Sequence, residues 1–183
     1  MLRVKKGDLG AFDRLITRHR NPVINTLSRI IGTTDGAEDL AQEVFLRVYR
    51  GRKSYRPKAR FTTWLYRIVR NIAVNAVRDR NRQAGLISFT DNAGDGSGEI
   101  LPVKGQPGPE EFAEANDLQE ALKKALAALT FDQRTALVLS RLEGMTHAET
   151  AKIMGSSEGA VKMLVSRAKK RLADELREYL QES

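Results

Sequence analysis

Apolar residues recur at three- and four-residue spacing along both ends of this 183-residue chain, and the pattern stops across its middle. Leu9, Phe12, Leu15 and Ile16 keep that spacing, as do Val23, Leu27, Ile30 and Ile31. So do Ala37, Leu40, Ala41, Val44, Phe45 and Val48, and again Trp64, Leu65, Ile68, Val69, Ile72, Ala73 and Val77. A face that returns every 3.6 residues marks an amphipathic helix, and no stretch shows the period-two alternation of a half-buried strand. Leu118, Leu122, Ala125, Leu126 and Leu129 resume the helical pattern near the other end, followed by Ala136, Leu137, Leu139 and Leu142. Between the two blocks lies a segment rich in Gly, Pro, Asp and Glu, with few apolar residues to bury. The spacing predicts an all-α chain of two small helical domains, 1–85 and 114–183, joined by an acidic linker over 86–113.

Local signals set the expected boundaries. Asn21-Pro22 reads as a break or a helix start, because proline has no N–H to give. Asp35 followed by Glu38 reads as a capping-box start for a third helix that ends by Gly51. The fourth helix is expected to begin near Thr62 or Thr63 and to run to about Arg82.

Charge is divided in the same places as periodicity. The formal net charge is +8. Residues 1–90 carry 19 Lys/Arg and 7 Asp/Glu, residues 91–117 one Lys and 7 acids, and residues 118–183 carry 11 Lys/Arg and 9 acids. A basic balance of this size points to a polyanionic partner, most often nucleic acid. Segregated charge also raises the expectation that the acidic linker shields the basic surfaces in the free protein. There is no cysteine, which excludes disulfide scaffolds, thiolate metal sites and cysteine nucleophiles and fits a reducing compartment. Two histidines without cysteine offer no metal-ligand set, and no cofactor is expected. No apolar run approaches the length of a membrane span and no signal-peptide core opens the chain, so a cytoplasmic protein is expected.

The sharpest local motif lies over 146–168. Thr146 with Glu149 forms a capping box, Ala148, Ala151, Ile153 and Met154 give a short apolar face, and Gly155 suits a left-handed helix end. Ser156 or Ser157 then caps a second helix whose Val161, Leu164, Val165, Ala168 and Leu172 face inward. This is a helix-turn-helix, and its second helix suits a DNA major groove, with an ordinary helical hairpin bearing solvated charges the competing reading. Its outward residues are Glu158, Lys162, Met163, Ser166, Arg167 and Lys170. Lys162 and Arg167 have the reach for base edges or phosphates, while the Lys169-Lys170-Arg171 cluster suits phosphates.

The basic N-terminal domain offers a different surface. Along its last helix Arg67, Arg70, Asn71, Asn75, Arg78, Arg80 and Arg82 put cations and amides within reach of a strand, and asparagine can bond a base edge in either polarity. Phe61, Trp64 and Tyr66 interleave with them as single-strand binders interleave aromatics. A core role for Phe61 and Trp64 is the competing reading. The helix over 36–50 instead displays Asp39, Gln42, Glu43, Arg47 and Arg50. Acids on an otherwise cationic domain repel DNA and suit a protein partner, and as a bare pattern a solvated face is the competing reading.

Three stretches together resemble the extracytoplasmic-function (ECF) group of sigma factors, in the sigma-70 family. Residues 35–49 resemble its region 2.2, residues 61–73 its regions 2.3 and 2.4, and residues 142–172 its region 4.2. The resemblance implies a subunit that binds core RNA polymerase and directs it to −35 and −10 promoter elements. It implies that Asp39, Gln42, Glu43 and Leu46 dock on the clamp helices of the β′ subunit, with the β subunit a further contact. It places Trp64, Arg67, Arg70, Asn71, Asn75 and Arg78 at the −10 strand, and Ser157, Lys162, Met163, Ser166, Arg167 and Lys170 at the −35 element. It also implies an anti-sigma factor as the source of signal, which could hold the protein at the membrane, in a stress response. Two positions depart from common family usage: Thr130 stands where several relatives have proline, and Leu164 where many have arginine.

The alternative is a free-standing helix-turn-helix regulator, for which the acidic face of 36–50 has no use. An enzyme has little support, since there is no nucleophile–base pair, no phosphate-binding glycine loop and no clustered metal ligands. No small-molecule substrate is expected.

Overall fold

The computed structural model describes residues 1–83 and 125–182, with side chains to 177. The linker expected over 86–113, with its shielding role, lies outside the described residues, as do Leu118 and Leu122. Seven α-helices are described: α1 (Leu2–Lys5), α2 (Leu9–Ile31), α3 (Ala37–Arg50), α4 (Phe61–Gln83), α5 (Phe131–Leu137), α6 (His147–Met154) and α7 (Glu158–Glu182). A 3₁₀ turn, Gly51–Lys53, follows α3, and a π-turn, Val138–Leu142, extends α5. There is no strand among the described residues.

Helices α2, α3 and α4 pack pairwise into a bundle. Val23, Leu27, Ile30, Val44, Val48, Leu65, Val69 and Ile72 are its closed centre. Each such side chain contributes about 1.5–3 kcal/mol by leaving water. In the second unit α5 and α6 both pack on α7, closing over Leu139, Val161, Val165 and Ala168. Ala148 is exposed, so the apolar face of α6 is narrower than its spacing suggested.

Two expected boundaries are corrected. Pro22 does not break the chain, because α2 runs unbroken through it. Pro22 itself is exposed, while Leu15 on one side and Val23, Leu27 and Ile30 on the other share one buried face. Burial along that face outweighs the single backbone bond that proline removes. The Asp35–Glu38 capping box does not form. Gly36 is the N-cap of α3, with φ of +71° and no side-chain cap, and Glu38 instead reaches Arg20 at 3.5 Å. A left-handed turn at glycine delivers the chain into α3 with no demand on Asp35.

The units are not separate. Helix α4 lies against α6, and α2 against α5 and the π-turn, so the buried side chains form one continuous cluster.

Candidate nucleic-acid interface

The turn between α6 and α7 follows its sequence signal closely. Thr146 Oγ1 accepts from the Glu149 amide at 3.1 Å, and Glu149 Oε2 accepts from the Thr146 amide at 3.0 Å. The Thr146 backbone N–H beside Glu149 holds its carboxyl below the usual range. Gly155 ends α6 with φ of +66°, a conformation a Cβ would strain. Ser157, rather than Ser156, caps α7 by accepting from the Ala160 amide at 3.1 Å. Val161, Val165 and Ala168 face inward with Leu164 and Leu172 packed beside them, which leaves Lys162, Met163, Ser166, Arg167 and Lys170 outside. Met163 is 54% exposed, unusual for a large apolar side chain, and suits contact with a thymine methyl. Lys162 leans to Glu158 at 3.4 Å, an exposed pair that a phosphate displaces at little cost.

On α4, Arg67, Asn71, Asn75 and Arg78 follow at intervals of four, four and three and are all exposed. That spacing makes a single stripe of cations and amides. Trp64 sits at its head, half-buried, its indole packed over Gly51 and against Tyr55 and Phe61 at ring-centroid distances of 5.1 and 5.9 Å. Trp64 is therefore packed against these rings without being closed off from solvent. Arg70 lies off the stripe, turned to Asp132 at 3.4 Å. Tyr66 is not an open stacking platform. It is 5% exposed and donates to Glu143 across the unit boundary. The 3₁₀ turn and loop before α4 carry five more cations, Arg52, Lys53, Arg56, Lys58 and Arg60.

Helix α3 carries the third surface. Asp39, Gln42, Glu43 and Leu46 fall at intervals of three, one and three, one side of a helix. Asp39, Gln42 and Leu46 are exposed, Leu46 at 53%, and Glu43 pairs with Arg47 one turn on. An exposed leucine framed by acids is unsuited to DNA and suited to an apolar, basic protein face.

Sequence reasoning missed one set of residues altogether. Thr26, Asp132 and Glu143 join the units, yet each reads locally as an ordinary helix or turn residue. It also took Thr130 only as a departure from proline. Thr130 is the N-cap of α5, in a full capping box with Gln133, and the Thr-x-x-Gln spacing was the available signal.

Residues 15–83 match Sigma-70 region 2, and residues 119–172 match Sigma-70, region 4. The ECF RNA polymerase sigma-E factor of Escherichia coli K12 is 32% identical, over 91% of this chain and 87% of its own. The RNA polymerase sigma-H factor of Pseudomonas aeruginosa is 29% identical, over 99% of this chain and 94% of its own. The chain belongs to the sigma-70 family, in its ECF group. Among solved structures, the sigma factor RpoE of Bartonella quintana, in complex with the anti-sigma factor NepR, superposes with a TM-score of 0.71 at 25% identity, covering 91% of this chain and 97% of that one. This ECF sigma factor acts in promoter recognition and transcription initiation by RNA polymerase. Sigma factors as a family are non-catalytic initiation factors. The region 2 match displaces the free-standing regulator as a reading. No helix among the described residues is long and apolar enough to cross a membrane.

Proposed function

We propose that the three exposed stripes divide the work of this sigma factor. The domain over 1–85 binds core polymerase through Asp39, Gln42, Glu43 and Leu46 on α3, against the β′ clamp helices, with the β subunit completing the seat. The same domain holds the −10 strand through Trp64, Arg67, Arg70, Asn71, Asn75 and Arg78. The domain over 114–183 reads the −35 element through Ser157, Lys162, Met163, Ser166, Arg167 and Lys170. The observation that carries this reading is the separation of chemistry by helix. Cations and amides line α4, cations with Ser166 and an open Met163 line α7, and acids with an open leucine line α3.

A base turned out of the stack costs a few kcal/mol, which backbone cations and a pocket wall such as Trp64 offset. Two modest DNA contacts on one polymerase scaffold reinforce each other through effective concentration. The chain works in the cytoplasm without catalysing a reaction of its own. An anti-sigma factor supplies its signal, a reading supported by the Bartonella relative solved with one. Transcription in vitro from a randomised promoter library, with core polymerase, tests the assignment. The native chain should yield factor-dependent transcripts, and the Asp39→Arg, Gln42→Ala variant should fold yet lose core binding. Normal initiation by that variant would remove α3 as the docking surface.

A further inference from the structure

Among the described residues, the one carboxylate that reaches two helices of the other unit is Glu143. It lies in the turn between the π-turn and α6. Its Oε1 is 2.7 Å from Thr26 Oγ1 on α2, and its Oε2 accepts from the Tyr66 hydroxyl on α4. Thr26 is fully buried and Tyr66 nearly so. The Thr26 proton is shared with the Pro22 carbonyl, 2.8 Å away. Burial raises the Tyr66 pKa and the neighbouring Glu143 adds to the effect, so the phenol stays a donor. Two further bridges flank this one. Arg70 reaches Asp132 at 3.4 Å, and Arg60 reaches Glu149 at 3.7 Å. Arg70 Nε is buried with no partner among the described residues, so this proposed strand contact faces protein instead of solution.

Distance decides what this arrangement can do. Promoter elements centred near −35 and −10 are some 25 base pairs apart, about 85 Å at 3.4 Å per pair. Helices that pack side by side have axes about 8–10 Å apart. With α4 against α6, the strand-binding stripe and the helix-turn-helix are far too close to span both elements.

We propose that Glu143 is the clasp of a closed conformation, in which its carboxylate holds the helix-turn-helix unit against the edge of α4, and that this clasp must open before polymerase and promoter are engaged. The proposal deepens the sigma-factor reading and rests on it for its consequence, but the clasp itself is testable without polymerase. If about 90% of the free chain is closed, apparent affinity for core polymerase is reduced about tenfold, because only the open fraction is competent.

The chain has no cysteine, so Lys53→Cys and Lys152→Cys, both at exposed positions, accept a pair of spin labels without background. In the free full-length protein the labels should give one narrow distance. Glu143→Ala should broaden it and move it outward, and so should Thr26→Val with Tyr66→Phe, which breaks the same bridge from the other side. The second variant carries the test should the first lose its helical circular dichroism. Both should bind core polymerase about tenfold more tightly than the parent. An unchanged distance in folded variants overturns the clasp. Opened variants that bind core no better than the parent overturn its gating role. Failure of every form, parent included, to bind core would instead strike the sigma reading, with the label distances still deciding the clasp.

Discussion

At the scale of single residues, the two caps make a controlled pair. Thr146 and Glu149 satisfy each other's amides, while Asp35 and Glu38, with the same spacing, do not. The difference is Gly36, whose left-handed turn supplies an entry that no local rule weighs against Asp35. Thr146→Ala should destabilise the protein by about 1 kcal/mol, the usual cost of a lost threonine cap. The Glu149 carboxyl is depressed in the fold, so its share of stability is full above the unfolded carboxylate pKa and lost as pH falls through the folded value. Because the Thr146 backbone N–H survives in Thr146→Ala, the charge is tested by Glu149→Gln instead: its gap in melting temperature from the parent should narrow in acid, and a constant gap from neutral pH down would detach the Glu149 charge from the cap. On α7, the proposed roles of Arg167 and Lys170 differ. Arg167→Ala should cost about 1–3 kcal/mol of −35 binding and relax preference at one position, whereas Lys170→Ala should weaken all duplexes alike and reduce the salt slope by about one. Binding titrations at several salt concentrations read both. Equal losses on matched and scrambled duplexes for Arg167→Ala would return it to the phosphate contacts.

At the scale of elements, sequence and structure agree where burial and periodicity point the same way. Helices α3, α4 and α7 show their apolar stripes plainly, and their opposite faces therefore gave the three candidate surfaces directly. Asn71 and Asn75 needed no structure to be placed together, since four-residue spacing suffices. Pro22 is the counterexample. Local chemistry argued for a break, but a buried face running from Leu15 to Ile31 kept α2 whole. The π-turn at Val138–Leu142 was equally illegible, because its apolar residues fit an ordinary helix. Tyr66 shows the limit for site residues. Its place among arginines suggested stacking on a base, and only the turn that carries Glu143, far away in sequence, reveals that it is covered.

At the scale of the whole molecule, net charge of +8 conceals a strongly basic first half and a nearly balanced helix-turn-helix unit. That division was readable from composition, whereas the contact between the units was not. Thr26 and Glu143 are 117 positions apart, and neither carries a local mark of the other. If the continuous core and the Glu143 bridge do join the units, they should melt together. The chain's single tryptophan, Trp64, reports on the first unit alone. Val161 lies fully buried in the second, on α7, beyond the boundary with α2 and α4. Val161→Ala should cost about 2 kcal/mol in lost burial and residual cavity. For a chain of this size that is a fall of about 4–8 °C in melting temperature, provided the chain unfolds as one unit. The Trp64 fluorescence transition should therefore move to lower temperature in the Val161→Ala protein, although the substitution is in the other unit. A Trp64 transition that stays in place while circular dichroism moves would mean that the two units unfold independently.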